Sequence, residues 1–139
     1  MARGDVFFSR NHQFDDGGIA KKLLILLNDP IEDNCYFFVK TTSQKKYKKN
    51  LPGCYSNDRG QGYYVIPKNV DWFKEDFTWV LFYPIIKMSS EEVLKESLEK
   101  RNLQYQTTLK DKTIRSIINC MKNSIHVTGF DVDIIAKKR

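Results

Sequence analysis

The sequence predicts one α+β domain, in which a small β-barrel or a strongly bent sheet is followed by two helices. Three observations support this prediction. The chain has 139 residues, 41% of them hydrophobic, which suffices for one core but not for two. Short apolar runs separated by turn residues fill the first two-thirds, and the apolar spacing then changes to that of helices. We therefore expect a single domain over residues 1–139, with the barrel at about 1–88 and the helical part at about 89–126.

Five segments are predicted strands because they are rich in aromatic and β-branched residues or form continuous apolar runs. They are residues 5–8, 21–28, 35–42, 62–67 and 77–86. The second has an unbroken apolar centre, which indicates a strand covered on both faces. Between the first two strands, residues 10–20 contain Asn, Asp and a Gly-Gly pair, and we predict an exposed loop there.

Two segments near the end are predicted helices. Residues 89–104 open with a capping-box pattern, Ser89 followed by Glu92 three residues later. Their narrow apolar stripe consists of Val93, Leu94, Leu98 and Leu103. Residues 111–124 are amphipathic, and their apolar face consists of Ile114, Ile117, Ile118 and Met121. Both helices are expected to pack on the open side of the barrel or on a partner.

Composition argues against several classes of protein. No apolar run approaches the roughly 18 residues that span a bilayer, and the N-terminus lacks the organisation of a signal peptide. We therefore expect a cytoplasmic protein that does not bind membranes. The sequence has no Gly-rich phosphate loop before a helix, no GxSxG and no HExxH, so a kinase, a Rossmann-type protein, a hydrolase of the GxSxG type and a zincin are not expected.

The cysteines and histidines are few. Three cysteines, Cys35, Cys54 and Cys120, form an odd set without CxxC spacing, which argues against a disulfide framework and against a zinc site. We expect each to be a small buried apolar side chain in a reducing compartment. With only two histidines in the chain, we expect neither a metal nor any other cofactor.

The stretch "FFVKTTSQKKY", residues 37–47, begins as a strand, passes through hydroxyl groups and ends in clustered lysines. The net charge of the chain is +6, which favours anionic partners. The candidate phosphate-contacting residues here are Thr41, Thr42, Ser43, Lys45, Lys46, Lys48 and Lys49. Tyr47, Tyr55, Tyr63 and Tyr64 recur nearby, and flat rings beside positive charge suit unpaired bases. The pattern indicates single-stranded nucleic acid, with a solvated charged loop as the alternative.

Four further residues could contribute to such a site. Lys21 and Lys22 open the buried second strand and could stabilise a phosphorane-like transition state. Arg59 lies in a Gly-flanked loop that could bring it over a cleft. His12 is a candidate for proton transfer, because the unperturbed pKa of histidine lies nearest neutrality. Each residue also has a simpler interpretation. The two lysines could be ordinary charges at the edge of a strand, Arg59 could be a turn residue, and His12 could be an inert loop histidine.

Several short motifs near the N-terminus occur together. They are "RGDVFF", a loop with Gly-Gly, a basic residue opening "KLLILLN", and a strand ending "VKTTSQKK". Over about the first 45 residues this order resembles the MazF/PemK family of toxin endoribonucleases. The resemblance implies an SH3-like barrel with helical additions that forms a homodimer. It also implies metal-independent cleavage of single-stranded RNA by attack of the 2′-hydroxyl on the adjacent phosphate, and neutralisation by an acidic antitoxin protein.

The same resemblance assigns roles to particular positions. The catalytic threonine of the family falls on Thr41, with Thr42 beside it. The strand-opening arginine of the family falls on Lys22, or on Lys21 if the register differs by one. Gly4 and Asp5 match the opening motif and are expected to be structural, while His12 and Arg59 are candidates to share the chemistry.

The chain departs from the family at one position. The family has arginine then proline where this chain has Lys22 then Leu23, and lysine offers a point charge instead of a planar fork. Two hypotheses therefore stay open besides the ribonuclease. One is a non-catalytic SH3-like barrel that binds nucleic acid or an acidic protein, and the other is an interaction protein that docks through residues 91–104.

Overall fold

The computed structural model describes the backbone of residues 1–13, 19–29, 35–43, 51–57, 59–74, 77–124, 133 and 135. Side chains are described for these residues except 11–13, 19–21 and 84. The strands are β1 (Asp5–Gln13), β2 (Ile19–Leu26), β3 (Cys35–Thr42), β4 (Gly53–Ser56), β5 (Gly62–Pro67), β6 (Phe77–Ser89) and β7 (Leu103–Thr108). The helices are α1 (Ser90–Leu94), which continues as a π-helical segment (Lys95–Glu99), and α2 (Asp111–Met121).

All seven strands belong to one sheet with the order β4-β5-β6-β3-β2-β1-β7. Every pair of neighbours is antiparallel. The short strands β4 and β7 form the two edges, and within the described residues they do not pair with each other. The predicted α+β class is confirmed, whereas the described strands form an open sheet and not the closed ring that defines a barrel.

The strand predictions hold where the chain is apolar. β3 and β5 cover the predicted residues, and β6 extends three residues further, to Ser89. The predicted loop at residues 10–20 is wrong at both ends, because β1 continues to Gln13 and β2 begins at Ile19. After a bulge between Ser9 and His12, the two strands stay paired as a hairpin. Strand pairing supplies hydrogen-bond partners for the backbone N–H and C=O groups of these residues. It therefore favours a strand here even though the side chains are polar.

The first helix is shorter than predicted. Its capping box is confirmed, since the Ser89 hydroxyl accepts from the Glu92 amide at 3.1 Å and the Glu92 carboxylate accepts from the Ser89 amide at 3.3 Å. The predicted apolar stripe is wrong beyond Val93, because Leu94 and Leu98 are 57% and 71% exposed. Leu103, the last residue of the predicted stripe, is the first residue of β7. Because β7 pairs with β1, the chain forms a strand there and not a helix.

The sheet has two covered faces. On the face that we name the α2 face, core side chains of the sheet pack with the apolar stripe of α2, as predicted. This cluster includes Val6, Ile25, Val39, Ile66 and Val80 of the sheet with Ile114, Ile117, Ile118 and Met121 of α2. On the other face, which we name the α1 face, Phe7, Leu24, Leu26, Phe38 and Leu103 pack with Val93 of α1. The apolar run of β2 is therefore buried on both faces, as predicted.

A disulfide joins Cys54 of β4 to Cys120 of α2, with a Cα–Cα distance of 5.4 Å. The expectation of a reduced, small apolar side chain is therefore wrong for these two cysteines, while Cys35 stays outside the disulfide as a half-buried thiol. The pairing depends on the topology that brings the edge of the sheet against α2. The sequence alone does not reveal it, because the two cysteines are 66 residues apart. Disulfides are typical of oxidising compartments. The cysteines therefore no longer support a cytoplasmic location, which stays a prediction.

None of the helices in the described part of the chain is both long enough and apolar enough to cross a membrane.

Candidate functional site

Four polar residues form a band across the middle of the α1 face. Ser9 of β1 lies opposite Lys22 of β2, and Lys40 of β3 lies opposite Leu24 of β2. Because side chains alternate between the faces of a strand, Lys22 shares a face with Leu24, and Thr42 shares a face with Lys40. We name Ser9, Lys22, Lys40 and Thr42 the polar band.

The polar band lies between two apolar clusters of the α1 face. On one side is the cluster around Phe7 and Phe38, which α1 covers. On the other side Thr42 lies opposite Trp79, which is buried in a second cluster with Tyr63 and Val65. These clusters hold the strands on both sides of the polar band, so its backbone is rigidly supported.

Burial separates the charges of the polar band from its hydroxyl groups. Ser9 and Thr42 are 4% and 5% exposed, whereas Lys22 and Lys40 are half-buried. Lysine can bury its aliphatic stem and keep its ammonium group in water. Lys22 and Lys40 therefore contribute most of the exposed surface of the polar band, and the side chains of Ser9 and Thr42 lie almost wholly below it.

Thr41 has a different place. It shares the α2 face with Val39 and lies opposite Val80, and it is 4% exposed. Its hydroxyl donates to the carbonyl oxygen of Leu23 at 3.2 Å, just beyond the last paired residues of β2 and β3. The structure therefore does not bring Thr41 together with Lys22 and Thr42, although Thr41 is the position that the family resemblance marks as catalytic.

The opening motif stabilises the start of β1. Gly4 has a φ of +94°, which favours glycine, and its amide and carbonyl bond to Leu26 and Leu109 at 2.8 and 2.9 Å. The Asp5 carboxylate accepts from the Ala2 amide at 2.8 Å and from the Thr108 hydroxyl at 2.7 Å. These contacts tie the N-terminus to β2 and to the segment that includes β7, so both residues have structural contacts, as expected.

Several predicted site residues lie partly or wholly outside the described residues. The backbone of His12 belongs to β1 and that of Lys21 to β2, while their side chains are not described. The lysine cluster also falls outside the described residues, and it comprises Lys45, Lys46, Lys48 and Lys49. Ser43 is described and exposed directly after β3, beside the end of the polar band. The roles proposed for these residues stay predictions.

Arg59 is exposed in the loop that joins β4 to β5. The Asn57 side-chain oxygen accepts from the amides of Arg59 and Gln61, both at 3.0 Å, and the Asn57 side-chain amide donates to Gln61 at 2.8 Å. This loop belongs to the edge of the sheet, two strands away from β3 in the sheet order. Arg59 is therefore held by a hydrogen-bonded turn and is not part of the polar band.

Three of the four predicted tyrosines are described, and they are divided between the two faces of the sheet. Tyr63 is 5% exposed and its ring lies 5.8 Å from that of Tyr55, whereas Tyr64 packs on the α2 face. Tyr47 lies outside the described residues. Tyr63 and Tyr64 lie on opposite faces of the sheet, because consecutive strand residues point to opposite faces, and the stacking of bases on the tyrosines stays a prediction. Tyr83, which sequence reasoning did not single out, is 45% exposed.

Lys40 and Ser9 are the residues of the polar band that sequence reasoning missed. Lys40 lies inside the predicted strand at residues 35–42, directly before the hydroxyl groups of Thr41 and Thr42. The alternation of β3 places it with Thr42, so the period-2 rule could have identified it.

Among the described residues, no three or more His, Cys, Asp or Glu side chains lie close enough together to hold a metal ion. Comparison of the chain with protein-family models, curated proteins and solved structures gives no match. The polar band is therefore the feature from which a function can be inferred.

Proposed function

We propose that the polar band binds the phosphate backbone of single-stranded RNA, and that the chain is a metal-independent endoribonuclease, the toxin of a type II toxin–antitoxin pair. The observation that carries this proposal is the pair of half-buried lysines, Lys22 and Lys40, on adjacent strands of one sheet face. Two cations held on a rigid surface attract an anion that can contact both, and a chain of phosphates does so along its length.

Cleavage would use the same two charges. The 2′-hydroxyl of RNA gives up its proton and attacks the neighbouring phosphorus, the bond from phosphorus to the 5′-oxygen breaks, and the 5′-oxygen leaves with a proton. During this exchange the non-bridging phosphate oxygens carry additional negative charge. An ammonium group fixed beside those oxygens stabilises that charge more than it stabilises the bound substrate, which lowers the barrier. Lys22 is the candidate for this role and Lys40 for holding the adjacent phosphate. His12, whose backbone lies three residues beyond Ser9 in β1, is the candidate for proton transfer.

The threonines have unequal roles in this proposal. Thr41 supports the site indirectly, because its hydroxyl bonds to Leu23 and holds β2 to β3 where their ladder ends. Thr42 lies on the same face as both lysines and forms the floor of the site. The homodimer, the acidic antitoxin and the SH3-like barrel implied by the family resemblance are part of the same proposal.

One observation favours a second candidate, a module that binds RNA or an acidic protein without cleaving RNA. The hydroxyl that the family resemblance marks as catalytic, that of Thr41, is buried and donates to a backbone carbonyl. A chain that kept the lysine pair and lost its catalytic hydroxyl would bind RNA and leave it intact.

The experiment that separates the candidates is incubation of a long single-stranded RNA with the protein in EDTA. The variants are Lys22→Ala and Lys40→Ala, and Lys112→Ala is the control because it removes an equal charge from an exposed position on α2. Discrete fragments that end in cyclic phosphate should appear with the wild type and the control, and should decrease strongly with the other two variants. Intact RNA that binds through Lys22 and Lys40 would favour the binding module. No binding of RNA would contradict the ribonuclease and the RNA-binding module, and would leave only a module that binds an acidic protein.

A further inference from the structure

The disulfide joins two cysteines in very different surroundings. Cys54 is exposed and lies on β4, an edge strand of four residues that pairs with β5 alone in the described part of the chain. Cys120 is 4% exposed and lies in α2, in the cluster that fills the α2 face. A reagent in solution can therefore approach the bond from the side of Cys54 and not from the side of Cys120.

We propose that Cys54 is a site of thiol–disulfide exchange, and that the disulfide is a redox-sensitive tether between the β4 edge of the sheet and α2. The co-reactant is a low-molecular-weight thiol or the dithiol of a reducing protein. This inference does not depend on the proposed function, since it rests on the disulfide and the edge strand alone.

The exchange proceeds in two balanced steps. The thiolate of the co-reactant attacks Sγ of Cys54, the bond between the two cysteine sulfurs breaks, and Cys120 leaves as a thiolate that takes a proton from water. A second thiolate then attacks the sulfur of the co-reactant in the mixed disulfide, which releases Cys54 as a thiolate. Two thiols of the co-reactant are oxidised to one disulfide, and the two cysteines are reduced.

The buried sulfur has a partner ready after reduction. Sγ of Cys120 lies 3.5 Å from the carbonyl oxygen of Tyr63. A disulfide sulfur carries no hydrogen, so this is only a contact in the oxidised protein, but the thiol formed by reduction can donate to that oxygen. The reduced Cys120 can therefore remain in the core without an unsatisfied group.

The packing indicates that reduction loosens β4 and not the whole fold. β5 remains close to α2 without the disulfide, because a Cβ atom added at Gly62 would lie only 3.0 Å from Cβ of Ser124, just after α2. By contrast β4 has four paired residues, and among them the half-buried Tyr55 packs against the cluster of Tyr63, Val65 and Trp79. Elements with few buried contacts open locally at low cost.

The site of attack is tested with reduced glutathione on the native, oxidised protein. Samples are quenched with acid, alkylated in denaturant and mapped by mass spectrometry. We expect the glutathione adduct on Cys54 and the alkyl group on Cys120. An adduct on Cys120, or no reaction until the protein is denatured, would overturn the assignment.

The effect on the fold is tested by hydrogen exchange of the oxidised protein, the reduced protein and the Cys54→Ser/Cys120→Ser double variant. Cys35→Ser, which retains the disulfide, is the control. Exchange in β4 should become faster by about tenfold or more in the reduced protein and the double variant, and β4 should then exchange faster than β2 and β3, which remain protected. Unchanged exchange in β4, or loss of protection throughout the sheet, would contradict a local tether. Neither readout involves RNA, so failure of the proposed function would leave this test intact.

Discussion

The hydroxyl of Thr41 donates a 3.2 Å hydrogen bond to the carbonyl oxygen of Leu23, where the pairing of β2 and β3 ends. The next residue, Thr42, has its side chain on the opposite face of the sheet, with Lys40. Two consecutive threonines in one strand therefore serve different purposes. Thr41 joins two strands, and Thr42 belongs to the surface that carries the positive charge.

Valine at each of the two positions should separate these purposes, because it keeps the branched shape and removes only the hydroxyl. Thr41→Val should lower the free energy of unfolding by about 1 kcal/mol, since a buried hydrogen bond is removed and a carbonyl is left without its donor. Its affinity for single-stranded RNA should stay close to that of the wild type. Thr42→Val is the matched control and should weaken RNA binding instead. Urea denaturation and RNA titration measure the two effects, and a reversed pattern would contradict the assignment.

The lysine pair should determine how strongly salt weakens RNA binding. Removing one cation that neutralises a phosphate of a single strand reduces the slope of log K against log salt by roughly 0.7. Lys22→Ala and Lys40→Ala should each produce a decrease of about that size. Lys112→Ala, an equal change of charge on α2, should leave the slope near the wild-type value. Titrations at four or five salt concentrations measure it. Equal slopes in all three variants would mean that the charge of the chain acts only at long range.

The central strands could be predicted from the sequence because buried strands have a recognisable composition. β3 and β5 are aromatic and β-branched, and they were predicted to the residue. The edge strands were missed for the opposite reason. β7 reads "LQYQTT" and β4 reads "GCYS", and an edge strand with little buried surface needs few apolar residues. The pairing of an edge strand with its neighbour depends on the tertiary structure, which the local sequence does not determine.

The candidate site was predicted in part. Alternation along a strand separates Thr41 from Thr42 and places Lys40 with Thr42, so the sequence contains this part of the site. The disulfide could not have been found in this way, because spacing does not determine connectivity. It depends on how the edge of the sheet and α2 come together in the folded chain.

The disulfide should also contribute to global stability. Linking residues 66 positions apart removes much of the entropy of the unfolded chain, and the chain-entropy relation gives about 4 kcal/mol at this separation. The Cys54→Ser/Cys120→Ser double variant should therefore unfold at a clearly lower denaturant concentration than the oxidised wild type. Cys35→Ser, which keeps the disulfide, controls for the loss of a cysteine. If reducing the wild type left its denaturation midpoint unchanged, the tether would not constrain the unfolded chain.

Glu96 connects the π-helical segment to the start of β7. Its carboxylate accepts from the Asn102 side-chain amide at 2.8 Å and from Lys100 at 3.2 Å, and its carbonyl accepts from the Asn102 backbone amide at 2.7 Å. The Asn102 hydrogen bond, helped by Lys100 and against the effect of partial burial, lowers the pKa of Glu96 from its ordinary value of 4.5. The charged form of this carboxylate is therefore favoured in the folded protein.

A lowered pKa fixes the direction of the pH dependence. The ionised Glu96 stabilises the fold above the unfolded pKa near 4.5, and this contribution is lost as the pH falls through the lower pKa of the folded state. Glu96→Gln should therefore be less stable than the wild type at pH 7, and the difference should shrink as the pH falls below 4.5. Glu99→Gln removes the same charge from an exposed position in the same segment and should change stability much less. Denaturation midpoints of the three proteins between pH 3 and pH 7 provide the comparison. A constant difference between Glu96→Gln and the wild type across that range would show that the Asn102 contact does not depend on the charge of Glu96.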